Sequence, residues 1–191
     1  MTDRWPQLRS AALDALSTLG VLLGERDPDE ARLIAAYLEA KRALARAFEA
    51  LGQERYRGDV SLGHIKREIE QYMVTTYRGL PAKYLVVRGF GRSHELLAAH
   101  LTARVGVEVS AAELRILTGD AIHTERRTRE LRDLGLALDA RVSGGINMYV
   151  LQSTTVDLAR AAAVQVAKNI RGDKSLGQID RAALLRRVEG S

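Results

Sequence analysis

The 191-residue chain contains no cysteine and only three prolines. The absence of cysteine excludes a disulfide framework, a thiol nucleophile and a cysteine-based zinc site. No stretch of about 18 apolar residues occurs, so a helix that spans a membrane is not expected. The first residues also lack the apolar run of a secretory signal. We therefore expect a cytoplasmic protein with no membrane partner.

Lysine is scarce as well, because only five of the 29 basic residues are Lys and the other 24 are Arg. Guanidinium groups match phosphates and guanine edges, so this bias is compatible with a nucleic-acid partner, although a GC-rich genome would also produce it. The net charge of +5 is uneven. Residues 51–92 carry +4 and residues 153–191 carry +3, whereas residues 1–50 and 93–152 each carry −1.

Apolar residues recur at three- and four-residue steps through the first half, which predicts amphipathic helices. The first predicted helix ends at Gly24, the second begins near Asp27-Pro28-Asp29-Glu30 and ends at Gly52, and the third runs from Ser61 to about Tyr77. These helices make residues 1–87 a helical region suited to dimerisation or bracing. Residues 84–87 predict a short strand or extended connector, and Arg88-Gly89-Phe90-Gly91-Arg92 predicts a basic, mobile linker.

Part of the chain is repeated. Residues 44–67 and 158–181 match without gaps at 12 of 24 positions, mostly within the pattern RGDxSLGxIxR. This indicates a duplicated helix–loop–helix hairpin. In one interpretation Asp59 or Ser61, and Asp173 or Ser175, cap the next helix, and Leu62–Ile65 and Leu176–Ile179 form apolar contacts. In the other, Arg57 and Arg171 beside the helix N-termini bind phosphates.

Residues 93–152 hold the most specific pattern. A helix capped by Ser93 is followed by a small strand over residues 105–109, a capping box at Ser110–Glu113, a turn at residues 118–120 and a third helix over residues 124–134. Alternating residues from Leu136, with Leu138, Ala140 and Val142 on one side, lead through Ser143-Gly144-Gly145 into a returning strand. This order predicts a winged helix-turn-helix.

The predicted fold is therefore mainly α. It has a helical N-terminal region, a central winged helix-turn-helix with a small β-hairpin wing, and a C-terminal helical hairpin. In domain terms these are residues 1–87, a linker at 88–92, residues 93–152, and residues 153–191, which repeat the 44–67 motif.

Residues 118–152, TGDAIHTERRTRELRDLGLALDARVSGGINMYVLQ, resemble the winged-helix domains found in or beside bacterial restriction endonucleases. Those domains combine a helix of pattern RRxREL with RDLG, a strand and a closing Y-x-L. The resemblance covers residues 93–152 only and implies binding to double-stranded DNA. It does not imply nuclease activity, because the helical remainder matches no nuclease domain. Thr128 stands where an apolar residue is typical, so we expect looser packing there.

The helix wheel places Thr124, Thr128, Leu131 and Leu134 on a buried face. Arg126 and Arg129 lie on the outer side, where they are predicted to contact guanine edges or phosphates in the major groove. The alternative is a solvated face with Glu125–Arg129 and Arg126–Glu130 pairs. The predicted DNA contacts are His123, Thr124, Arg126, Arg127, Arg129 and Arg132 around this helix, Arg141, Ser143, Gly144 and Asn147 in the wing, Arg88 and Arg92 in the linker, and Arg57 and Arg171 in the repeated loops.

No pattern predicts a catalytic or metal site. The four histidines have poor spacing for a metal, and no H-E-x-x-H, G-x-S-x-G or Walker loop occurs. Glu39-Ala40-Lys41 has the E-x-K spacing of a restriction-type nuclease, but it lies within a continuous amphipathic helix. We therefore expect no cofactor and a role that is not enzymatic.

Together these features predict a protein that binds double-stranded DNA as a homodimer. It would act as a transcriptional regulator or as the DNA-recognition component of a restriction or antiviral defence system. Two alternatives are a nuclease with an unrecognised active site and a winged-helix module that binds another protein.

Overall fold

The computed structural model describes residues 4–56, 62–120 and 123–190. The fold is mainly α, as predicted, and these residues also form a three-stranded antiparallel sheet. None of their helices has the length and apolarity needed to cross a membrane. The elements in chain order are α1 (Arg4–Leu23), α2 (Glu30–Arg55), α3 (Leu62–Thr76), a 3-10 helix (Ala82–Tyr84), α4 (Arg92–Thr102), β1 (Val109–Ser110), α5 (Ala111–Leu117), α6 (Thr124–Asp133), β2 (Leu136–Ser143), β3 (Ile146–Val156), α7 (Leu158–Gly172) and α8 (Gln178–Glu189).

The first two helices pack against each other as an antiparallel hairpin. Asp29 begins α2 as predicted, because its carboxylate accepts a hydrogen bond of 2.8 Å from the backbone N–H of Arg32. The prediction that α2 ends at Gly52 is wrong, since the helix continues to Arg55. A Cβ on Gly52 would lie 3.2 Å from Cδ2 of Leu117, so this glycine allows α2 to approach α5 closely.

One hydrophobic core joins α3 to the elements from α4 to α8. Its completely or almost completely buried members include Leu62, Ile69, Met73, Leu97, Leu101, Leu131, Leu151 and Ile170. Side chains on both sides of residues 88–92 belong to this core, and so does Phe90 itself. The division of the chain into separate domains stays a prediction.

Two structures were predicted for residues 84–87, a short strand or an extended connector. The structure has the connector and no strand there. The 3-10 helix ends at Tyr84, and the chain then runs as a connector held by Asn169. The side-chain amide of Asn169 donates hydrogen bonds of 2.9 and 2.7 Å to the carbonyls of Tyr84 and Val86. A distant side chain therefore satisfies backbone groups that a strand partner would otherwise satisfy.

The RGFGR segment, predicted to be a mobile linker, makes hydrogen bonds to the rest of the fold. Lys66 donates a hydrogen bond of 2.7 Å to the carbonyl of Gly89, and Arg88 donates one of 3.0 Å to the carbonyl of Lys83. Phe90 is buried, with a backbone φ of 64°. The single aromatic ring of the segment therefore belongs to the core.

The central elements follow the predicted order, with three local differences. Gly91, not Ser93, precedes the first turn of α4. The first strand contains only Val109 and Ser110, and the preceding Val105–Val107 stretch lies outside it. Strand β3 pairs with both neighbours, so the sheet order is β1-β3-β2.

Gly135 ends α6, as predicted, and its conformation explains why. The residue has a φ of 82°, and a Cβ there would lie 2.5 Å from the carbonyl oxygen of Asp157. Only glycine fits this left-handed position against another backbone. The close approach brings the end of α6 beside Asp157, which caps α7 by accepting a hydrogen bond from Arg160 N–H.

Candidate nucleic-acid interface

The face of α6 that packs on the core is the one predicted. Thr124, Thr128, Leu131 and Leu134 are all completely buried. The expectation of loose packing at Thr128 is wrong, because its methyl group lies in the core and its hydroxyl donates a 2.9 Å hydrogen bond to the carbonyl of Glu125. Because the Thr124 side chain is buried, the prediction that it contacts DNA is wrong. The candidate interface is formed by its exposed neighbours.

Helix α5 is followed by a turn at residues 118–120. Ser110 caps α5 by accepting a 3.1 Å hydrogen bond from Glu113 N–H, which is half of the predicted capping box. The Glu113 side chain instead pairs with Arg104 at 2.6 Å. In the turn, Gly119 and Asp120 have φ values of 68° and 59°. His123 stands exposed at the start of α6.

The outer face of α6 carries two exposed arginines, Arg126 and Arg129. Arg126 is 74% exposed and forms one of the two alternative ion pairs, with its Nε 3.0 Å from Glu130. In the described residues Glu125 pairs with Arg115 at 3.3 Å, and Arg129 has no ion pair. Arg129 is therefore the most available cation on this helix.

Glu130 connects the outer face of α6 to α4. One of its oxygens bonds Arg126, and the other lies 2.7 Å from Nε2 of His94, which is buried. Burial of Glu130 favours its protonation, but the hydrogen bonds from His94 and Arg126 outweigh this and lower the pKa of the carboxyl below its ordinary value. The carboxylate therefore stays ionised and holds Arg126 at a defined place on the surface.

The other two arginines of α6 are half-buried. Nη1 of Arg127 and Nε of Arg132 are buried without a hydrogen-bond partner among the described residues. The aliphatic parts of these two side chains cover the sides of the helix, on either side of Arg126 and Arg129. Their guanidinium groups are therefore less accessible to solvent than those of Arg126 and Arg129.

Strands β2 and β3 form a hairpin that extends beyond the core. Ser143 pairs with Ile146 across Gly144 and Gly145, whose positive φ values of 56° and 79° match a type I′ turn. Arg141, Ser143, Gly144 and Asn147 are all exposed. Arg141 forms an ion pair with Glu108. Tyr149 belongs to the core.

The tip of the hairpin is more apolar than the sequence pattern predicts. Val142 is 69% exposed and Ile146 is 53% exposed, because the core reaches only as far as Leu138 on β2. The alternation of the sequence predicts that Val142 lies on the core side with Leu136 and Leu138. Val142 is exposed because the hairpin projects beyond the core at this position. Both side chains are available to a ligand that contacts the tip.

A second group of cations surrounds Phe90. Nζ of Lys66 and Nζ of Lys168 lie 5.7 and 5.8 Å from the centroid of the Phe90 ring. Neither ammonium forms an ion pair with a described acidic residue. Phe90 also makes an edge contact with His94, which links this cluster to Glu130 and Arg126. Sequence reasoning missed both lysines, because α3 and α7 are far apart in the chain.

Arg88, Arg92 and Arg171 are exposed. Arg57 and its loop lie outside the described residues. The second copy of the repeat can be described, and its loop differs from both capping predictions, since α8 begins after Gly177 and not after Asp173 or Ser175. Ile179 is 84% exposed, so the expected contact with Leu176 is absent.

Asp173 is instead the centre of a polar cluster. Its carboxylate accepts hydrogen bonds from Lys83 and Tyr84, both at 2.7 Å, and from the backbone and hydroxyl of Ser175. The hydrogen bond from Lys83, supported by those from Ser175 and Tyr84, lowers the pKa of Asp173 far below its ordinary value. This aspartate therefore fastens the loop to the 3-10 helix.

The E-x-K residues do not form a metal centre in the described part of the chain. Lys41 pairs with Asp120 at 2.8 Å, and Glu39 lies 3.8 Å from Arg42. Among the described residues, no group of three or more histidines, aspartates or glutamates is placed to hold a metal ion.

Part of the chain matches the model of a known family. Residues 94–152 match the family model of the KpnI N-terminal domain. The match spans less than a third of the chain and begins within α4 and ends in β3. It associates this part of the chain with a restriction-enzyme-related domain, in agreement with the resemblance of residues 118–152. No curated protein and no solved structure matches the chain.

Proposed function

We propose that this protein binds double-stranded DNA through a winged helix-turn-helix formed by residues 93–152. Helix α6 is the recognition helix and enters the major groove, and the β2–β3 hairpin is the wing. The observation that carries this proposal is the order α4-β1-α5-α6-β2-β3 with sheet order β1-β3-β2, in which α6 buries its threonines and turns Arg126 and Arg129 outward.

The proposed contacts fall into two kinds. Arg126 and Arg129, with His123 at the helix start, read base edges or adjacent phosphates, and Arg127 and Arg132 contribute at the helix sides. Arg141, Ser143, Gly144 and Asn147 bring the wing to the backbone or minor groove, where Val142 and Ile146 pack against sugars.

The basic flank supplies contacts that do not depend on sequence. Lys66 and Lys168 are held beside Phe90 without described acidic partners, and Arg88, Arg92 and Arg171 are exposed. Two lysines beside one ring, neither paired with a described carboxylate, provide positive charge for phosphate groups. Arg57 belongs to the same proposed group through the repeat.

We place this activity in a bacterial restriction or antiviral defence system, as the DNA-recognition component, because of the match of residues 94–152 to the KpnI N-terminal domain. The protein acts as a homodimer that reads two half-sites. Regulation of transcription by the same dimer is the alternative.

Equilibrium binding to a random-sequence DNA duplex tests the proposal. Anisotropy would be measured over a salt series, with and without Mg²⁺. We expect binding at low salt that weakens steeply as salt rises. Absence of binding at the lowest salt would contradict the proposal and favour a protein-interaction module. Cleavage that requires Mg²⁺ would show a nuclease instead of a recognition component.

A further inference from the structure

The α1–α2 hairpin carries an apolar surface that the rest of the described chain leaves uncovered. Eight of the fifteen exposed large hydrophobic side chains in the described residues lie on these two helices. They are Leu13, Leu16, Val21 and Leu23 on α1 and Ile34, Tyr37, Leu38 and Phe48 on α2. Exposed apolar side chains concentrated in this way on one helical hairpin indicate an interaction site.

Leu13 on α1 and Phe48 on α2 turn to the same side of the hairpin. Leu13 follows Ala12, which is buried in the hairpin, and Phe48 follows Ala47 in the same way. One residue is a rotation of about 100° around a helix. Because the helices run in opposite directions, this rotation carries both stripes to one side of the pair. The result is a broad two-helix face and not two separate ridges.

The charges of the hairpin are distributed unevenly along its length. Residues 25–30, at the tip, hold four acidic groups and one basic group. Towards the other end, a groove of about 340 Å³ lies between α2 and the turn before α6. Its charged lining consists of Lys41, Arg42, Arg46, Glu49 and Asp120. The tip thus carries a net charge of −3, and the lining of the groove carries a net charge of +1, within which Lys41 and Asp120 pair with each other.

The tip and the groove lie at equal distances from one level of the apolar face. Ala36 lies between Ile34 and Leu38, and Glu30 and Arg42 lie about 9 Å to either side of it along α2. If a two-fold axis passes through the face at Ala36, the tip of each copy therefore lies opposite the groove of the other. The acidic tip and the basic residues of the groove are therefore spaced so that a second copy of the same chain can cover the apolar face.

We propose that two copies associate through these faces, with antiparallel hairpins related by a two-fold axis near Ala36. The apolar stripes of four helices then cover one another, and the acidic tip of each hairpin enters the basic groove of its partner. Both tip–groove contacts form together, because a two-fold interface uses the same surface on each copy. The groove borders Gly119 and Asp120, so the contact also fixes the placement of the two α6 helices. This arrangement rests on the homodimer in the proposed function but not on DNA binding.

Light scattering and sedimentation without DNA test the apolar part of the interface. The unaltered protein is expected to form a dimer over a concentration series, and Leu16→Glu with Tyr37→Glu is expected to give a monomer with an unchanged circular dichroism spectrum. Val74→Glu with Ile179→Glu is the matched control, since these exposed residues lie on α3 and α8, and it should remain a dimer. A monomer at every concentration for the unaltered protein would overturn the proposal.

Charge reversal tests the arrangement of the copies. Asp27→Lys with Glu30→Lys makes the tip basic, and Arg42→Glu with Arg46→Glu makes the groove acidic. Each variant alone should weaken the dimer by about tenfold or more. An equimolar mixture should restore it as a heterodimer, because both tip–groove contacts then join opposite charges. Failure of the mixture to restore dimerisation would contradict the antiparallel arrangement. If DNA binding fails while these dimers behave as stated, only the proposed function is contradicted.

Discussion

Lys41 in α2 forms an ion pair with Asp120, which stands in the turn that leads to α6, with Nζ 2.8 Å from Oδ2. The shared hydrogen bond raises the pKa of Lys41 and lowers the pKa of Asp120. Asp120 also has a φ of 59°, a conformation that few residues adopt without cost. The same residue therefore shapes the turn and joins it to the α1–α2 hairpin.

Substitutions at Asp120 should separate these two roles. Asp120→Asn removes the charge but tolerates the left-handed backbone, so we expect only a small decrease in Tm. Asp120→Val removes the charge and strains the backbone, and a clearly larger decrease in Tm is expected. Thermal unfolding followed by circular dichroism measures both. Equal decreases would show that the turn does not depend on the conformation at this residue.

Gly135→Ala should destabilise the protein strongly. The new Cβ would lie 2.5 Å from the carbonyl oxygen of Asp157, and the φ of 82° would also be strained, so a loss of about 3 kcal/mol is expected. Gly144→Ala is the control, since its φ is also positive but no atom lies within 4 Å of the added group. Denaturant unfolding should show a much smaller loss for Gly144→Ala.

The stability of the protein should decrease as the pH falls from about 6.5 to about 4, the range set by His100. Burial of this side chain, together with the nearby charge of Arg104, lowers its pKa from 6.5 to about 4 despite the opposing effect of Glu113. The unfolded chain therefore binds a proton in this range that the folded chain does not bind. The loss amounts to about 3 kcal/mol when the pH reaches 4.

The measurement is Tm as a function of pH for the unaltered protein and for His100→Gln. His100 accepts a hydrogen bond from the Tyr56 hydroxyl and donates one to Glu113, and glutamine preserves a donor and an acceptor. The variant is expected to be less stable at pH 7 but to lose the slope between pH 6.5 and 4. An unchanged slope would assign the acid sensitivity to other groups.

The tip of the wing should contribute to DNA affinity but not to folding. Val142→Ser with Ile146→Ser changes two exposed side chains, so Tm should remain within a degree or two, as is usual for surface changes. Affinity for duplex DNA should fall several-fold because the apolar contact with the sugars is lost. Affinity that stays the same would exclude the tip from the interface.

Local patterns predicted the central elements well. The spacing of Thr124, Thr128, Leu131 and Leu134 identified the buried face of α6 because helical periodicity depends only on neighbouring residues. Tertiary contacts decided the features that were predicted incorrectly. Gly52 lies inside α2 because Leu117 packs on it, and Asp173 contacts Lys83 and Tyr84 in place of capping α8.

The candidate site was predictable only in part for the same reason. Arg126 and Arg129 are close in sequence, and their exposure follows from the helix wheel. The convergence of Lys66 and Lys168 on Phe90 depends on the packing of α3 against α7, which no local pattern records. The projection of Val142 beyond the core likewise depends on the length of the hairpin relative to the layer beneath it.

The most direct test of DNA recognition by α6 is the affinity of Arg126→Ala with Arg129→Ala for a duplex selected from a random library. Arg32→Ala with Arg186→Ala is the matched control, because it removes the same charge from exposed positions on α2 and α8. We predict a loss of at least about a hundredfold for the α6 variant, as two base-reading contacts are removed, and a small loss for the control. Equal affinities for the two variants would contradict the assignment of α6 as the recognition helix.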